Sequence, residues 1–248
     1  MIKLEDLFVV FDKGEPLERT AIRCINLSIN AGEKVSVLGN NGSGKSSLVR
    51  VLAGHIEPSF GKIFLDDKDI TLYSTNEKAS IFSTVFSNNN TTCHNNLTVI
   101  ENLALSMLTG KKMSAWSNAI NNKTVSIINE YIEKYDFLDL KNFLFCPVSS
   151  ISHENKQALC LMMAIMKPMK FLLVDEFTYG LKKDLSERLW TTLKNIADDF
   201  SVSVIAVIEN KNVEFDFFTR TLLMSGGRIL VDVSGEERKN FDFSTYLN

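Results

Sequence analysis

The chain has 248 residues, 45% hydrophobic and 23% charged, with 27 Lys and Arg against 30 Asp and Glu for a net charge of −3. That length and balance fit one globular α/β domain, or a domain with an embedded subdomain, holding enough apolar side chains for a real core. The slight acidity, with basic residues scattered along the chain, leaves no electrostatic footprint for duplex nucleic acid and argues against a DNA-binding protein.

At the N terminus, MIKLEDLF carries neither the basic segment nor the small-residue cleavage site of a signal peptide. No apolar run approaches the roughly 18 residues that a bilayer requires, so a cytoplasmic chain is expected. Residues 2–11 and 21–29 read as two antiparallel strands joined by a turn over Asp12 to Pro16, and 33–38 as a short buried strand. A glycine-rich loop follows, then a helix from Lys45 to Leu52 that Gly54 and Pro58 terminate, then strands at 61–65 and 80–86. Residues 87–96 form a polar, asparagine-rich loop, and helix-period segments follow at 97–108, 124–137 and 155–166. The α/β alternation then resumes with a strand at 170–174, a helix at 183–198, strands at 202–208, near 218–224 and at 227–232, and a short terminal helix. Cys24, Cys93, Cys146 and Cys160 make no CxxC pair or dense framework, and His55, His94 and His153 have no metal spacing, which excludes a zinc or disulfide scaffold.

Gly39-Asn40-Asn41-Gly42-Ser43-Gly44-Lys45-Ser46 satisfies GxxxxGK[ST], placed between a strand and the start of a helix as its mechanism requires. Glycines there let backbone N–H groups curl around phosphates, and the helix N terminus adds partial positive charge. Lys45 is expected to reach the β- and γ-phosphates, the Ser46 hydroxyl to ligate Mg²⁺, and Ser47 to continue the cradle. The run Lys170 to Glu176 is an apolar strand ending in two acids: Asp175 is expected to hold Mg²⁺ through its water shell, and Glu176 to polarise an attacking water.

With both motifs placed around a helical segment, the chain resembles ABC-type ATPases along nearly its whole length. The stretches GNNGSGKSSLVRVLAG, LTVIENLALSMLTGKK, KQALCLMMAIMKPMKFLLVDEFT and GGRILVDVSGEERK are similar to the ATPase subunits of bacterial transport systems with a separate permease and solute-binding subunit. Some members are assigned to aromatic amino acids, a solute the ATPase does not touch. The resemblance implies a single ABC ATP-binding domain over 1–248. Residues 1–86 and 167–248 would form a P-loop core with an antiparallel β subdomain, and 87–166 an inserted α-helical subdomain. It implies ATP and Mg²⁺ as cofactors, and a location on the inner face of the cell membrane. The partners it implies are a membrane permease, a second ABC ATPase subunit and, indirectly, a solute-binding protein. Phe11 falls where the family stacks an aromatic ring on adenine, a contact worth about 1 kcal/mol; the alternative is a core residue at a strand end. The segment from Ser87 to about Leu108 falls where the family receives a permease helix, and an ordinary amphipathic surface helix would look the same.

Departures from the family pattern bear on turnover. Ser87 stands where a Gln would contact Mg²⁺ and water. Ile151-Ser152-His153-Glu154-Asn155 stands where the family carries LSGGQ, with both glycines gone. The loop after Glu176 reads Tyr179-Gly180-Leu181-Lys182, and Glu209 replaces the switch His unless Asn210 points inward instead. In the family each signature serves the neighbouring subunit's ATP. An ionised Glu154 about 5 Å from a phosphate charge would cost about 3 kcal/mol at an effective dielectric of 20. A low-turnover ATPase, or a heterodimer with an intact-signature partner, is therefore expected. The competing readings are a catalytically impaired regulatory or scaffold protein of the same fold, and a soluble tandem ABC protein of translation or repair, which one cassette without a basic patch disfavours. Met224-Ser225-Gly226-Gly227-Arg228 mimics the signature but lies between two strand-like runs and reads as a β-turn.

Overall fold

The computed structural model describes residues 1–87, 92–108, 120–208 and 215–246. Strands β1 (Ile2–Phe11) and β2 (Arg19–Ile29) pair antiparallel, as their alternation predicts. With β4 (Phe60–Leu65) and β5 (Lys68–Asp69) they form a four-stranded sheet in the order β2-β1-β4-β5.

The second sheet holds six strands among the described residues, in the order β10-β9-β3-β8-β7-β6. Its members are β3 (Lys34–Gly39), β6 (Phe82–Phe86), β7 (Phe171–Asp175), β8 (Ser203–Val207), β9 (Arg220–Ser225) and β10 (Arg228–Ser234). All neighbours pair parallel except β9 with β10, which form a hairpin. Every residue of β7 and β8 is buried, because a parallel strand covered on both faces has no polar side to show. The two faces feed different cores. Leu172, Val174, Val204 and Ala206 join one cluster, while Phe171, Leu173, Ile205 and Val207 join the other.

Helix α1 (Lys45–Ala53) buries Leu48, Val49, Val51 and Leu52 between the two sheets and ends at Gly54, whose φ of 80° continues no helix. On the opposite face lie α3 (Val99–Ser106), α4 (Asn122–Lys134), α5 (His153–Ile165) and α6 (Lys183–Asp199). In α6 the buried set Leu189, Trp190, Leu193, Ile196 and Ala197 repeats at helical spacing, and Trp190 packs edge-on against Phe177 at 5.0 Å. A terminal α7 (Gly235–Asn240) follows β10.

Three readings change. Helix α4 ends at Lys134, before the expected 137: Tyr135 turns extended and donates its hydroxyl to Asp199 at 2.8 Å, and Leu138 and Asp139 take positive φ. Helix α5 starts at His153, earlier than expected, because the Ser152 hydroxyl accepts from the Asn155 N–H at 3.2 Å and caps it. Strand β5 and helix α2 (Thr75–Lys78) were not expected; Ser74 and Glu77 close a full capping box on α2. No helix among the described residues is long and apolar enough to cross a membrane.

Candidate functional site

Open parallel sheets bind ligands beyond the carboxyl ends of their strands. The loop Gly39 to Gly44 leaves β3 at that end and feeds directly into α1, with Gly44 as N-cap at φ 102°. Gly39 has no alternative residue: a Cβ there would lie 2.3 Å from the Met224 carbonyl oxygen and 2.6 Å from Ser43 Oγ. Gly42 has open space around it, so the mouth of the loop is clear.

Lys45 is buried to 6% exposure and donates from Nζ to the Gly39 carbonyl at 2.7 Å and the Asn40 carbonyl at 3.2 Å. Its ammonium is thus held inside the loop by backbone oxygens that a phosphate would replace. One residue on, Ser46 Oγ donates to Asp175 Oδ1 at 3.0 Å. Burial pushes the Asp175 carboxyl above its ordinary range, and the Ser46 hydroxyl, Arg50 and Lys45 pull partly the other way. Glu176 follows at φ 50°, a left-handed backbone uncommon for a non-glycine residue, and its N–H donates to the Val207 carbonyl at 3.2 Å. That turn directs Glu176 away from the strand line and into the wall of the cleft.

The cleft has a volume of about 530 Å³. Asn41, Gly42, Ser43, Gly44, Lys45, Ser46, Ser47 and Glu176 line it, so most of the expected phosphate residues converge there. Gly39 and Asn40 do not line it; their carbonyls accept from Lys45 Nζ. Phe11 stands beside the cleft, opposite Arg19 in the β1–β2 register, with the Arg19 guanidinium 5.6 Å from its ring.

The other wall was not foreseen. Arg19, Ala21 and Arg23 alternate along β2, so their side chains share a face, and with Thr20 and Gly226 they close the cleft. The GlyGly segment is the turn of the β9–β10 hairpin, as read, with φ of 52° and 81° at Gly226 and Gly227. It also buttresses the phosphate loop: Gly227 N–H donates to the Ser43 carbonyl at 3.0 Å and its carbonyl accepts from the Arg23 N–H at 2.8 Å.

The residues fit a polyphosphate with a divalent cation. Ser43 Oγ is buried without a hydrogen-bond partner, an orphan group awaiting a ligand in the middle of the cradle. Ser46 and Asp175 form the hard oxygen pair that Mg²⁺ prefers.

The departures also take definite places. Ser87 N–H donates to the Asp175 carbonyl at 2.9 Å, and the Ser87 carbonyl accepts from Gln157 Nε2 at 2.9 Å. The hydrogen bond from its own backbone N–H, and after it one from the Ser152 hydroxyl, hold Glu154 below the usual carboxylate range at the start of α5. Tyr179 is exposed, with its N–H donating to the Glu176 carbonyl at 2.9 Å. Glu209 and Asn210 lie outside the described residues, as do 88–91 of the asparagine-rich loop.

A parallel sheet with a phosphate-cradling loop at the end of β3 and a paired carboxylate at the end of β7 defines a P-loop nucleotide-binding fold. A sequence profile described as ABC transporter matches residues 22–179. The chain belongs to the ABC transporter family and is an ATP-binding cassette of it. It is 29% identical over 249 residues to a tyrosine transport ATP-binding protein of Clostridioides difficile, covering 100% of this chain and 97% of that protein. It is 28% identical over 214 residues to a thiamine import ATP-binding protein of Haemophilus influenzae, covering 86% and 92%. The dimeric structure of a bacterial ABC transporter cassette superposes with a TM-score of 0.81 at 22% identity, covering 94% of this chain and 98% of that one.

Proposed function

We propose that the chain is the ATP-binding subunit of an importer, binding Mg-ATP and coupling its hydrolysis to solute movement through a partner permease, with low intrinsic turnover. The observation that carries this reading is the convergence of Lys45, Ser46 and Glu176 on one cleft, with Asp175 bonded to Ser46 behind its wall. Lys45 neutralises phosphate oxygens and Ser43 Oγ gives them a donor. Ser46 and Asp175 hold the cation, and Glu176 takes a proton from the attacking water. A magnesium ion held by Ser46 and Asp175 would supply charge neutralisation on the phosphates. Phe11 lies beside the adenine end, where its ring exchanges the Arg19 guanidinium for the base. Residues 1–86 and 167–248 act as the core and 87–166 as the helical arm that meets the permease at the inner membrane face. The import name of the thiamine relative supports the direction of transport.

A second reading, an ATP-binding regulatory protein without productive hydrolysis, is favoured by one observation. Glu154 and Ser152 are bonded within the first turn of α5, so its positive end already holds a carboxylate where a neighbour's γ-phosphate would dock. Steady-state ATPase activity, measured on the purified chain alone, with a signature-bearing cassette partner and with a permease, separates the two. Stimulation by either partner supports transport. Turnover equal to that of a Glu176→Gln variant under all three conditions, with Mg-ATP affinity intact, supports the regulatory reading.

A further inference from the structure

Helix α5 touches the segment that leads from β6 towards α3 at two points, Ser87 and Cys93. At the first, Gln157 Nε2 holds the Ser87 carbonyl, and Ser87 in turn holds the backbone of Asp175. At the second, Cys160, three residues along α5 from Gln157, places its Sγ 3.2 Å from Cys93 Sγ. Both thiols are buried, and Met163 Sδ lies 3.9 Å from Cys93 Sγ. No catalytic role uses either sulfur, and all four cysteines are thiols in the structure.

We propose that Cys93 and Cys160 form a reversible disulfide under peroxide, and that the bond locks the segment entering α3 onto α5, separating nucleotide binding from partner-driven turnover. Cys93 is the attacking sulfur. It keeps 5% of its surface open against 0% for Cys160, and the hydrogen bond from Cys160 holds its thiol below the ordinary value while the same bond, together with burial, pushes Cys160 up. The Cys93 thiolate attacks one oxygen of hydrogen peroxide, breaking the O–O bond. Cys93 becomes a sulfenic acid, and the departing hydroxide takes the thiol's proton and leaves as water. Cys160 sulfur then attacks the Cys93 sulfur, the S–O bond breaks, and a second hydroxide leaves as water with the Cys160 proton. Peroxide is reduced by two electrons and the thiol pair is oxidised by two. The bond closes a loop between residues 67 positions apart, so the oxidised form gains stability as well as rigidity.

The bond itself does not depend on the proposed function; its effect on turnover does. The test treats the full chain with hydrogen peroxide, alkylates remaining thiols and maps linked peptides by mass spectrometry. The expected product is a Cys93–Cys160 peptide lighter by two hydrogens and reversed by dithiothreitol. It should persist in a Cys24→Ser/Cys146→Ser variant and vanish in Cys160→Ser. If Cys160→Ser does not fold, the linked peptide in the Cys24→Ser/Cys146→Ser protein decides alone. Sulfinic acid on Cys93 with no linked peptide, or linkage only to Cys24 or Cys146, overturns the proposal. In the activity arm, Mg-ATP affinity should stay unchanged while permease-stimulated turnover falls about fivefold or more and returns on reduction. A linked protein with unchanged stimulated turnover overturns the locking role. A reduced protein that binds no nucleotide overturns the functional reading and leaves the linkage result standing.

Discussion

Ser46 Oγ donates to Asp175 Oδ1 at 3.0 Å, joining the first turn of α1 to the end of β7 across 129 positions of sequence. Because Asp175 is buried and its carboxyl is pushed above the ordinary value by that burial, the pair holds a charge the fold would rather not have. A carboxyl that binds its proton more tightly folded than unfolded subtracts from stability above its folded value and costs nothing below its unfolded one, near 3.8. Asp175→Asn should therefore raise the Tm of the nucleotide-free protein at neutral pH, and the gap from wild type should close as pH falls through the folded value towards 3.8. The same change should weaken Mg-ATP binding by roughly 10- to 100-fold, the loss of one charge-assisted contact. Thermal melts across pH and calorimetric titration with and without Mg²⁺ check both signs; a lower Tm at neutral pH would contradict the argument.

Lys45 offers a cleaner separation of binding from folding. Its Nζ bonds two carbonyls of its own loop and no other element of the fold, so Lys45→Ala should cost little Tm beside its effect on binding. Nucleotide affinity should fall about 10- to 100-fold, because a charged donor to phosphate is lost. Titration of a fluorescent ATP analogue reads this directly, and unchanged affinity would remove the foundation of the nucleotide assignment.

How much of this was legible depended on whether the signal was local. The cradle and the strand ending in Asp175 and Glu176 are contiguous motifs whose spacing carries their chemistry, and β7 and β8 announce themselves through the apolar runs 171–174 and 204–208. The capping box of Ser74 and Glu77 was equally local and went unread, since α2 is only four residues long and buries little beyond Lys78. Other features exist only after folding. Arg19, Ala21 and Arg23 become a cleft wall because β2 passes the loop, and Tyr135 leaves α4 because Asp199, 64 positions away, receives its hydroxyl. The GlyGly turn was read correctly as a turn, but its bond to Ser43 could not be seen from the turn itself.

That turn yields its own prediction. A Cβ on Gly227 would sit 2.8 Å from the Ala21 carbonyl oxygen, and its φ of 81° is unfavourable to any side chain; Gly226 shares a positive φ but has open space around it. Gly227→Ala should cost more than the roughly 1–2 kcal/mol of left-handed strain alone. A domain of this size then loses about 2–8 °C of Tm. Mg-ATP affinity should fall with it, since Ser43 moves. Gly226→Ala should show the strain cost without the affinity loss, and equal effects on affinity would argue against the buttress.

Glu176 is placed by a left-handed backbone at the strand end, a strain that persists where surrounding structure over-determines it. On its proposed role as the base acting on water, Glu176→Gln should preserve Mg-ATP affinity and lower partner-stimulated turnover by about 100- to 10,000-fold. Single-turnover hydrolysis with the permease or a cassette partner present measures it. A variant that hydrolyses at the wild-type rate would move the base elsewhere.

The first turn of α5 sets the last expectation. Ser152 caps the helix and Glu154 sits within hydrogen-bond reach of that cap, so the helix end carries its own anion. If a neighbouring subunit's ATP docks there, the repulsion of about 3 kcal/mol at 5 Å and dielectric 20 is an upper figure that salt and solvent reduce. Replacing His153 and Glu154 together by Gly reopens the approach at a helix-propensity cost of about 1 kcal/mol per residue. The double variant should therefore be less stable as a monomer yet hydrolyse ATP faster, by about tenfold or more, with a steeper dependence on protein concentration. Wild-type turnover should rise with ionic strength while that of the variant should not, because only the wild type has a carboxylate to screen. Turnover that stays flat with protein concentration in both would show that the signature end of α5 faces no second nucleotide.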